Sequence, residues 1–452
     1  MLSIAAACHR IKGRLTETVP AELVHRLCHE VGHRWRDRDL GPVVTTHLFL
    51  QQVLHGNVAV GELRRRSGLD FTDSAYCQAR RRLPRTVLER LQRAVTGQLS
   101  GTTEVGLPDL WHGHRLFLID GSSFSMPDTP ELQEHFGQPV GQAPGCGFPV
   151  AHLLVRFDAA TGYLLHATAL PLHRSDLSGV PALHAGLCRG DVLLGDRAFG
   201  TYAHLALCLR RGLHGVFRAH QKQIIDFRPH RRHVSRQHQK KGQKGRPSSR
   251  WLRRLGKHDQ LVEYFKPEKR PAWMSEADFA QLPASIMVRE LRYRIKQRGC
   301  RTRVVTLVTT LLDPEQYSAQ ELARLYGLRW QVETNLKHLK QTLKMDILRC
   351  ETVEGVLKEL AVFVLIYNLV RRVMCEAGRA QQVHPDRISF IDAWRWLRHA
   401  QPEDPLPRLI VNPQRRGRVE PRVRKRRPKQ FPVMKRPREV LRKELMRQRP
   451  AA

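Results

Sequence analysis

Between Leu116 and Asp196 the sequence breaks into short apolar runs, "LFLID", "AHLLVRF", "GYLLHATAL" and "DVLLGD", each bounded by turn-forming residues. Runs of this kind, followed by helical stretches, constrain the chain to an α/β layer. In "FDAATGYLL", Asp158 to Gly162 supply turn chemistry between two strand-like runs, so a hairpin is expected there. "LVEYF", "ASIMVRELRYRI" and "TRVVTLVTTLL" carry strand character further along. The longest apolar run, "LAVFVLIYNLV", is shorter than the roughly 20 residues a bilayer span requires and reads as a buried core helix. A chain of 452 residues is too long for one ordinary core, and no internal repeat divides it, so two or three structural units are expected.

Residues 1 to about 105 read as helical, since "VTTHLFLQQVLHG" and "RTVLERLQRAVTGQL" place apolar residues at three- and four-residue steps. Between them, "VAVGELRRRSGLDFTDSAYCQARRRLP" gives a helix, a break at Gly68-Leu69-Asp70 and a second helix. Ser74 can cap that second helix, which ends in Arg80, Arg81 and Arg82 before Pro84. This is the outline of a helix-turn-helix, whose second helix would carry these arginines into a DNA major groove. An αα-hairpin with a solvated basic face fits the pattern equally.

The formal charge of +35 and pI near 10.8 exceed what solubility needs and point to a polyanion, which tips that choice towards DNA. Lys222 to Lys257 hold thirteen Lys or Arg against one acid, Asp226, and read as a flexible basic insertion. Arg415 to Arg449 hold sixteen against three Glu and read as an arm along phosphates, the other reading being a solubilising tail. "MLSIAAACHRIKGR" has no basic stretch before its apolar one, which argues against a secretory leader. With no membrane partner expected, the expected location is the cytoplasm, on the nucleoid. Nine cysteines without a Cys-x-x-Cys pair point to reduced thiols. His25, Cys28, His29 and His33 cluster loosely but lack the second ligand pair of a zinc site.

"LYGLRWQVETNLKHLKQTLKMD", Leu325 to Asp346, is expected to form one helix with two stripes. Leu325, Leu328, Val332, Leu336, Leu339 and Leu343 make the buried one, and Tyr326, Arg329, Glu333, Lys337 and Lys340 line up beside it. An i,i+4 ion pair between Glu333 and Lys337 would explain the single acid without any function. Two strand-like runs, however, end in aspartate, at Asp120 and Asp196, each followed by small or turn-forming residues that put it at a loop mouth. Three carboxylates converging from two strands and a helix suit two hard divalent cations. Such a pair can activate a water or a 3′-hydroxyl for in-line phosphoryl displacement, with Arg329, Lys337 and Lys340 holding the phosphate chain. Asp128, Asp176 and Asp191 are the rival acids; Asp128 follows Pro127 in a loop and Asp191 precedes its strand, so neither suits a strand-end ligand as well.

Tyr326, Arg329, Glu333 and Lys340, with two, three and six residues between them, resemble the Y-(2)-R-(3)-E-(6)-K signature of DDE transposases of the insertion sequence 4 family. "LIDGSSFSMPDTPE" and "GDVLLGDRAFGTY" resemble that family's two aspartate blocks, and the likeness extends from "HLFLQQVLHGN" through "GCGFPVAHL" and "YNLVRR" to "RVRKRRPKQFP". The resemblance implies an α/β fold with a ribonuclease H-like core, its mixed sheet flanked by helices, at residues 106–218 and 302–400. It further implies a helical end-binding domain at 1–105, a mainly β insertion at 219–301 and a basic tail at 401–452. Asp120, Asp196 and Glu333 match the catalytic acids, which would ligate two Mg²⁺ ions, or Mn²⁺, while Tyr326, Arg329, Lys337 and Lys340 position the DNA. The implied partner is double-stranded DNA, as transposon ends and target, held by a homodimer in the synaptic complex. Both strands would be cut through a hairpin intermediate and the 3′ ends joined to target. A Trp of the insertion that stacks on a flipped base has two candidates, Trp251 and Trp273. Trp330 lies beyond the catalytic stripe and is expected to pack structurally. "HRRHVSRQHQKKGQKGR" is longer and more basic than the family pattern. Two other readings stay open: a catalytically inactive DNA-binding regulator derived from such an enzyme, and a nuclease of the same core that cuts without joining.

Overall fold

In the computed structural model, which describes residues 19–36, 38–101, 110–234, 245–295, 304–400, 404–413 and 434–447, the apolar runs pair into one nine-stranded sheet. Its strands are β1 (Leu116–Ser125), β2 (Val150–Asp158), β3 (Leu164–Pro171), β4 (Val192–Gly195), β5 (His214–Arg218), β6 (Arg250–Gly256), β7 (Asp259–Phe265), β8 (Ser285–Arg294) and β9 (Val304–Thr309). They lie side by side as β3-β2-β1-β4-β5-β9-β8-β7-β6. β2 runs antiparallel to β1 and β3, β4 is parallel to β1, and β5 is parallel to β4, which makes the first five strands a ribonuclease H-like core. β9 pairs antiparallel with β5 on one edge and with β8 on the other, so β8, β7 and β6 widen the core's own sheet as a meander. Residues 235–244 of the basic stretch before β6 lie outside the described residues.

The expected hairpin is the β2–β3 connection. Asp158 Oδ2 accepts from the Thr161 N–H at 3.0 Å, and Gly162 sits at φ +72°, where a side chain would be strained. Because side chains alternate across a strand, the sheet sorts its residues between two cores. Leu116, Leu118, Val192 and Leu194 enter one, and Phe117, Ile119 and Leu193 the other.

Among the described residues, five helices precede the sheet: α1 (Ala21–Glu30), α2 (Pro42–Leu54), α3 (Val60–Ser67), α4 (Asp73–Arg82) and α5 (Arg85–Gly101). Every residue of α2 is buried, so it is the axis of this unit. α3 ends at Gly68 in a left-handed conformation, and α4 begins behind Thr72, whose hydroxyl accepts from the Ala75 N–H at 3.1 Å. The cap is therefore Thr72; Ser74 lies inside the helix.

Short helices link the strands: α6 (Pro130–Phe136), α7 (Val180–Leu183), α8 (Tyr202–Arg210) and α9 (Glu276–Ala280). Beyond β9 come α10 (Ala319–Gly327), α11 (Trp330–Lys337), α12 (Val353–Ala380), α13 (Phe390–His399) and α14 (Arg438–Arg447). α14 shows that the basic tail is partly structured: Arg438 pairs with Asp128 at 3.0 Å and lies over the Phe148 ring at 4.0 Å. Residues 414–433 fall outside the described residues. The seven cysteines among the described residues are free thiols. No described helix is long and apolar enough to cross a membrane.

"LAVFVLIYNLV" lies inside the 28-residue α12, whose buried polar groups each answer a backbone or charge from another element. Lys358 Nζ donates to the carbonyls of Arg80 and Arg81, at 3.2 and 3.0 Å, closing the C-terminal end of α4. Glu359 accepts from Asn57 Nδ2 at 2.6 Å, and Arg371 pairs with Asp386 at 2.9 Å. Asn368 accepts from the Leu164 N–H at 2.8 Å and donates to the Leu164 carbonyl at 2.9 Å, which satisfies the start of β3. Asn368→Ala leaves both backbone groups buried and unpaired; it should lower unfolding free energy by about 2–4 kcal/mol, read by urea denaturation.

Candidate active site

The parallel pairing of β1 with β4 sets the positions of two acids. Leu118 is opposite Leu194, so Asp120 and Asp196 each lie two residues further along neighbouring strands, which run about 4.8 Å apart. By the same alternation, both side chains belong to the face of Leu118 and Leu194, the face against which α10, α11 and α12 pack. Asp196 follows the last residue of β4, where its Oδ1 accepts from the Ala198 N–H at 2.8 Å. Asp120 is held by the N–H of Gly121, also at 2.8 Å; it lies in the middle of β1, opposite Val155, and not at the expected loop mouth, because β1 stays paired with β2 as far as Ser125.

The expected single helix over Leu325 to Asp346 is three pieces. α10 ends at Gly327, short i→i−3 hydrogen bonds at Leu328 and Arg329 tighten the junction to α11, and residues 338–342 form a π turn. The apolar stripe survives: Leu325, Val332, Leu336, Leu339 and Leu343 are buried and Leu328 is half-buried. On the second stripe, Arg329 joins two acids. Its Nη2 donates to Glu333 Oε1 at 2.9 Å, and its Nη1 is 3.8 Å from Asp120 Oδ2. Glu333 thus pairs with Arg329, four residues before it, and not with Lys337. Lys340 reaches β1 and donates to Ser122 Oγ at 3.0 Å, Lys337 is exposed, and Tyr326 is buried. The Glu333 carboxylate remains half in solvent, while Asp120 and Arg329 are largely covered.

A fourth carboxylate, Asp176, lies near enough to Asp196 to feel its charge but on the face of β1 opposite Asp120, towards which Gly121 points; strand-end reasoning passes over it because it starts a 3-10 turn after β3. A Cβ at Gly121 would fall 2.7 Å from Asp176 Oδ2, so the glycine beside Asp120 makes room for this acid. His152 Nδ1 lies 3.5 Å from Asp176 Oδ1. The other two rivals are engaged elsewhere: Asp191 is buried in a bidentate pair with Arg115 at 2.8 and 2.6 Å, and Asp128 pairs with Arg438. Arg80 turns inward, its guanidinium 3.8 Å from the Phe49 centroid and bonded to Gln52 Oε1 at 3.2 Å, whereas Arg81 and Arg82 are exposed. Trp330 departs from expectation too: it is 48% exposed, with Arg329 5.3 Å from its ring centroid. Trp251 stacks near His230 and Trp273 packs against the second core. His25, His29 and His33 gather around the Trp35 ring instead of around a common ligand point.

The electrostatics are those of crowded like charges. Burial pushes the Asp120 carboxyl up to about 6, and Asp196 and Glu333 push the same way, against the Gly121 N–H and Arg329. Burial raises Asp176 as well, with Asp196 adding to it and His152 opposing. Burial also raises the Tyr326 phenol and lowers the Lys340 ammonium. An all-oxygen donor set of this kind fits hard divalent cations. Because the folded-state value of Asp120 lies above its unfolded one, its contribution is fully present below about pH 4 and is lost as pH rises through 6. Asp120→Asn should therefore stabilise the metal-free protein at pH 7 by on the order of 2 kcal/mol, a gain that disappears near pH 4 in chelator-containing denaturation series.

Residues 111–369 match the family described as transposase DDE domain. Over 381 residues the chain is 26% identical to the transposase InsG for insertion sequence element IS4 of Escherichia coli (strain K12), covering 80% of this chain and 78% of that protein. It is 34% identical over 127 residues to InsZ of the same bacterium, covering 28% of this chain and 42% of InsZ. The piggyBac transposase in its synaptic complex with hairpin DNA aligns with 88% of this chain and 80% of its own at a TM-score of 0.40 and 11% identity. With more than half of its length matched to the DDE domain and InsG aligned along most of the rest, the chain belongs to the DDE transposases of the insertion sequence 4 family.

Proposed function

We propose that this chain cuts DNA at the ends of its element and joins the freed 3′ ends to target DNA, with Asp120, Asp196 and Glu333 as the catalytic acids. The observation that carries the reading is Arg329 lying between Asp120 and Glu333, beside the pair of aspartates on the neighbouring strands β1 and β4. Carboxylates this close need positive charge to stay ionised together. Asp120, Asp196 and Glu333 would hold two divalent cations, Mg²⁺ or Mn²⁺, which lower the pKa of a bound water and stabilise the leaving oxygen of an in-line displacement.

The residues around the acids then have separate tasks. Arg329, relieved of its carboxylates, turns its planar fork to the scissile phosphate, for which bidentate geometry suits it. Lys340, drawn towards β1 by Ser122, stands where a phosphate beside the acids would meet it. Lys337 is exposed and contacts the backbone further along, and Tyr326, buried on the same stripe, helps position the cleaved phosphate. Arg81 and Arg82 on the outer side of α4 grip phosphates of the element's end, and two chains pair to bring two ends together. The charge of +35 supplies sequence-independent attraction to the duplex.

Glu333→Gln should lower cleavage of end-bearing linear DNA by on the order of 10³-fold in Mg²⁺ while leaving end binding unchanged; equal loss of both would contradict a catalytic role. Joined products from the wild-type chain separate transposition from simple nuclease action and from an inactive regulator. Lys337→Ala should weaken binding to all sequences alike and reduce the log–log salt slope by about one.

A further inference from the structure

We propose that His184, His204 and Cys208 form a three-residue Zn²⁺ site, its fourth position taken by water, on the face of the sheet opposite the catalytic acids. His204 and Cys208 lie four residues apart on one side of α8, and His184 follows α7. All three are buried, at 4%, 0% and 0% exposure, within the second core. Their ligand atoms lie within 4.8 Å of one another, with His184 Nε2 3.0 Å from His204 Nε2 and 4.0 Å from Cys208 Sγ. Tetrahedral zinc with ordinary bond lengths needs edges of about 3.3 Å between nitrogens and about 3.6 Å between nitrogen and sulfur. Side-chain adjustments of about an ångström close the gap.

The tautomers favour ligation. His204 Nδ1 is 2.9 Å from the Phe199 carbonyl, which can only accept, so the proton is on Nδ1 and the Nε2 lone pair points at the cluster. Without a cation, one hydrogen bond from His184 Nε2–H to that lone pair is what the two rings can make, and His184 Nδ1 has no hydrogen-bond partner. Two imidazoles and one thiol are borderline-soft donors, which select Zn²⁺ over the hard cations suited to the carboxylates. The two sites would therefore be loaded by different metals.

Ligation would also brace the second aspartate. The Phe199 N–H bonds to the Asp196 carbonyl at 3.3 Å, so a His204 fixed by metal holds Phe199 and the turn that carries Asp196. That bracing role, unlike the ligation itself, rests on Asp196 acting in catalysis.

The test uses the full-length chain, stripped with chelator and titrated with Co²⁺ in the absence of DNA. One equivalent should bind with a near-ultraviolet thiolate-to-cobalt band that one equivalent of Zn²⁺ removes. Cys208→Ser should abolish the band and weaken Zn²⁺ binding by roughly a hundredfold, as expected when one ligand of a chelate is lost. Cys28→Ser, beside the histidines around Trp35, should leave both unchanged. Zinc X-ray absorption on the wild-type chain should give two imidazoles and one sulfur, a reading that needs no variant to fold. Absence of the band, its persistence in Cys208→Ser, or an all-nitrogen and oxygen shell would overturn the site whether or not the chain cleaves DNA.

Discussion

Parallel pairing of β1 with β4 is the constraint on which the site depends. A parallel register cannot slip by one residue without exchanging the two faces of the sheet, and here both faces are core. Leu118 and Leu194 are therefore locked opposite each other by the apolar surface they share with the α12 side, and Asp120 and Asp196 emerge as neighbours in consequence. The same alternation sends Phe117, Ile119 and Leu193 to the other core, where α8 and the His184–His204–Cys208 cluster lie. Gly195 admits no side chain, because a Cβ would meet Phe199 and Ile119 at 2.9 and 3.0 Å, so the end of β4 is packed tightly beneath the second aspartate.

Bringing carboxylates together opposes folding, and the chain answers that cost locally. Arg329 supplies positive charge between Asp120 and Glu333, Gly121 and Ala198 supply N–H donors, and His152 faces Asp176. The carboxyl of Asp120 is still raised, by its burial first and by Asp196 and Glu333 after that. A site that is imperfectly compensated by its own side chains is one that gains from added cations, which connects the electrostatics to the proposed chemistry. Asp176, across the sheet, adds its negative charge to that felt by Asp196.

α12 joins the nine-stranded sheet to the helical unit that precedes it. Its buried Lys358, Glu359, Asn368 and Arg371 reach α4, Asn57, β3 and Asp386 respectively, so the geometry of the N-terminal helices is tied to that of the sheet through hydrogen bonds that water cannot replace. Arg80 belongs to this joint: it fills the space between Phe49, Gln52 and Cys350 and leaves Arg81 and Arg82 to face outward.

The hairpin at Asp158 to Gly162, the buried apolar helix, the strand runs and the end of β4 at Asp196 were legible in the sequence, because periodicity, turn chemistry and chain direction are properties of a few consecutive residues; that β1 runs on past Asp120 to Ser125 was not. The apolar stripe of the Glu333 helix was legible for the same reason, although the break at Leu328 and the π turn after Lys337 were not. Strand order beyond β5, the inward turn of Arg80, the exposure of Trp330, the arrival of Asp176 beside Gly121 and the meeting of His184 with His204 and Cys208 were decided by tertiary structure alone. Each depends on which distant group lies across a packed interface, and a polar side chain carries no local mark of whether its partner will be water or another part of the fold.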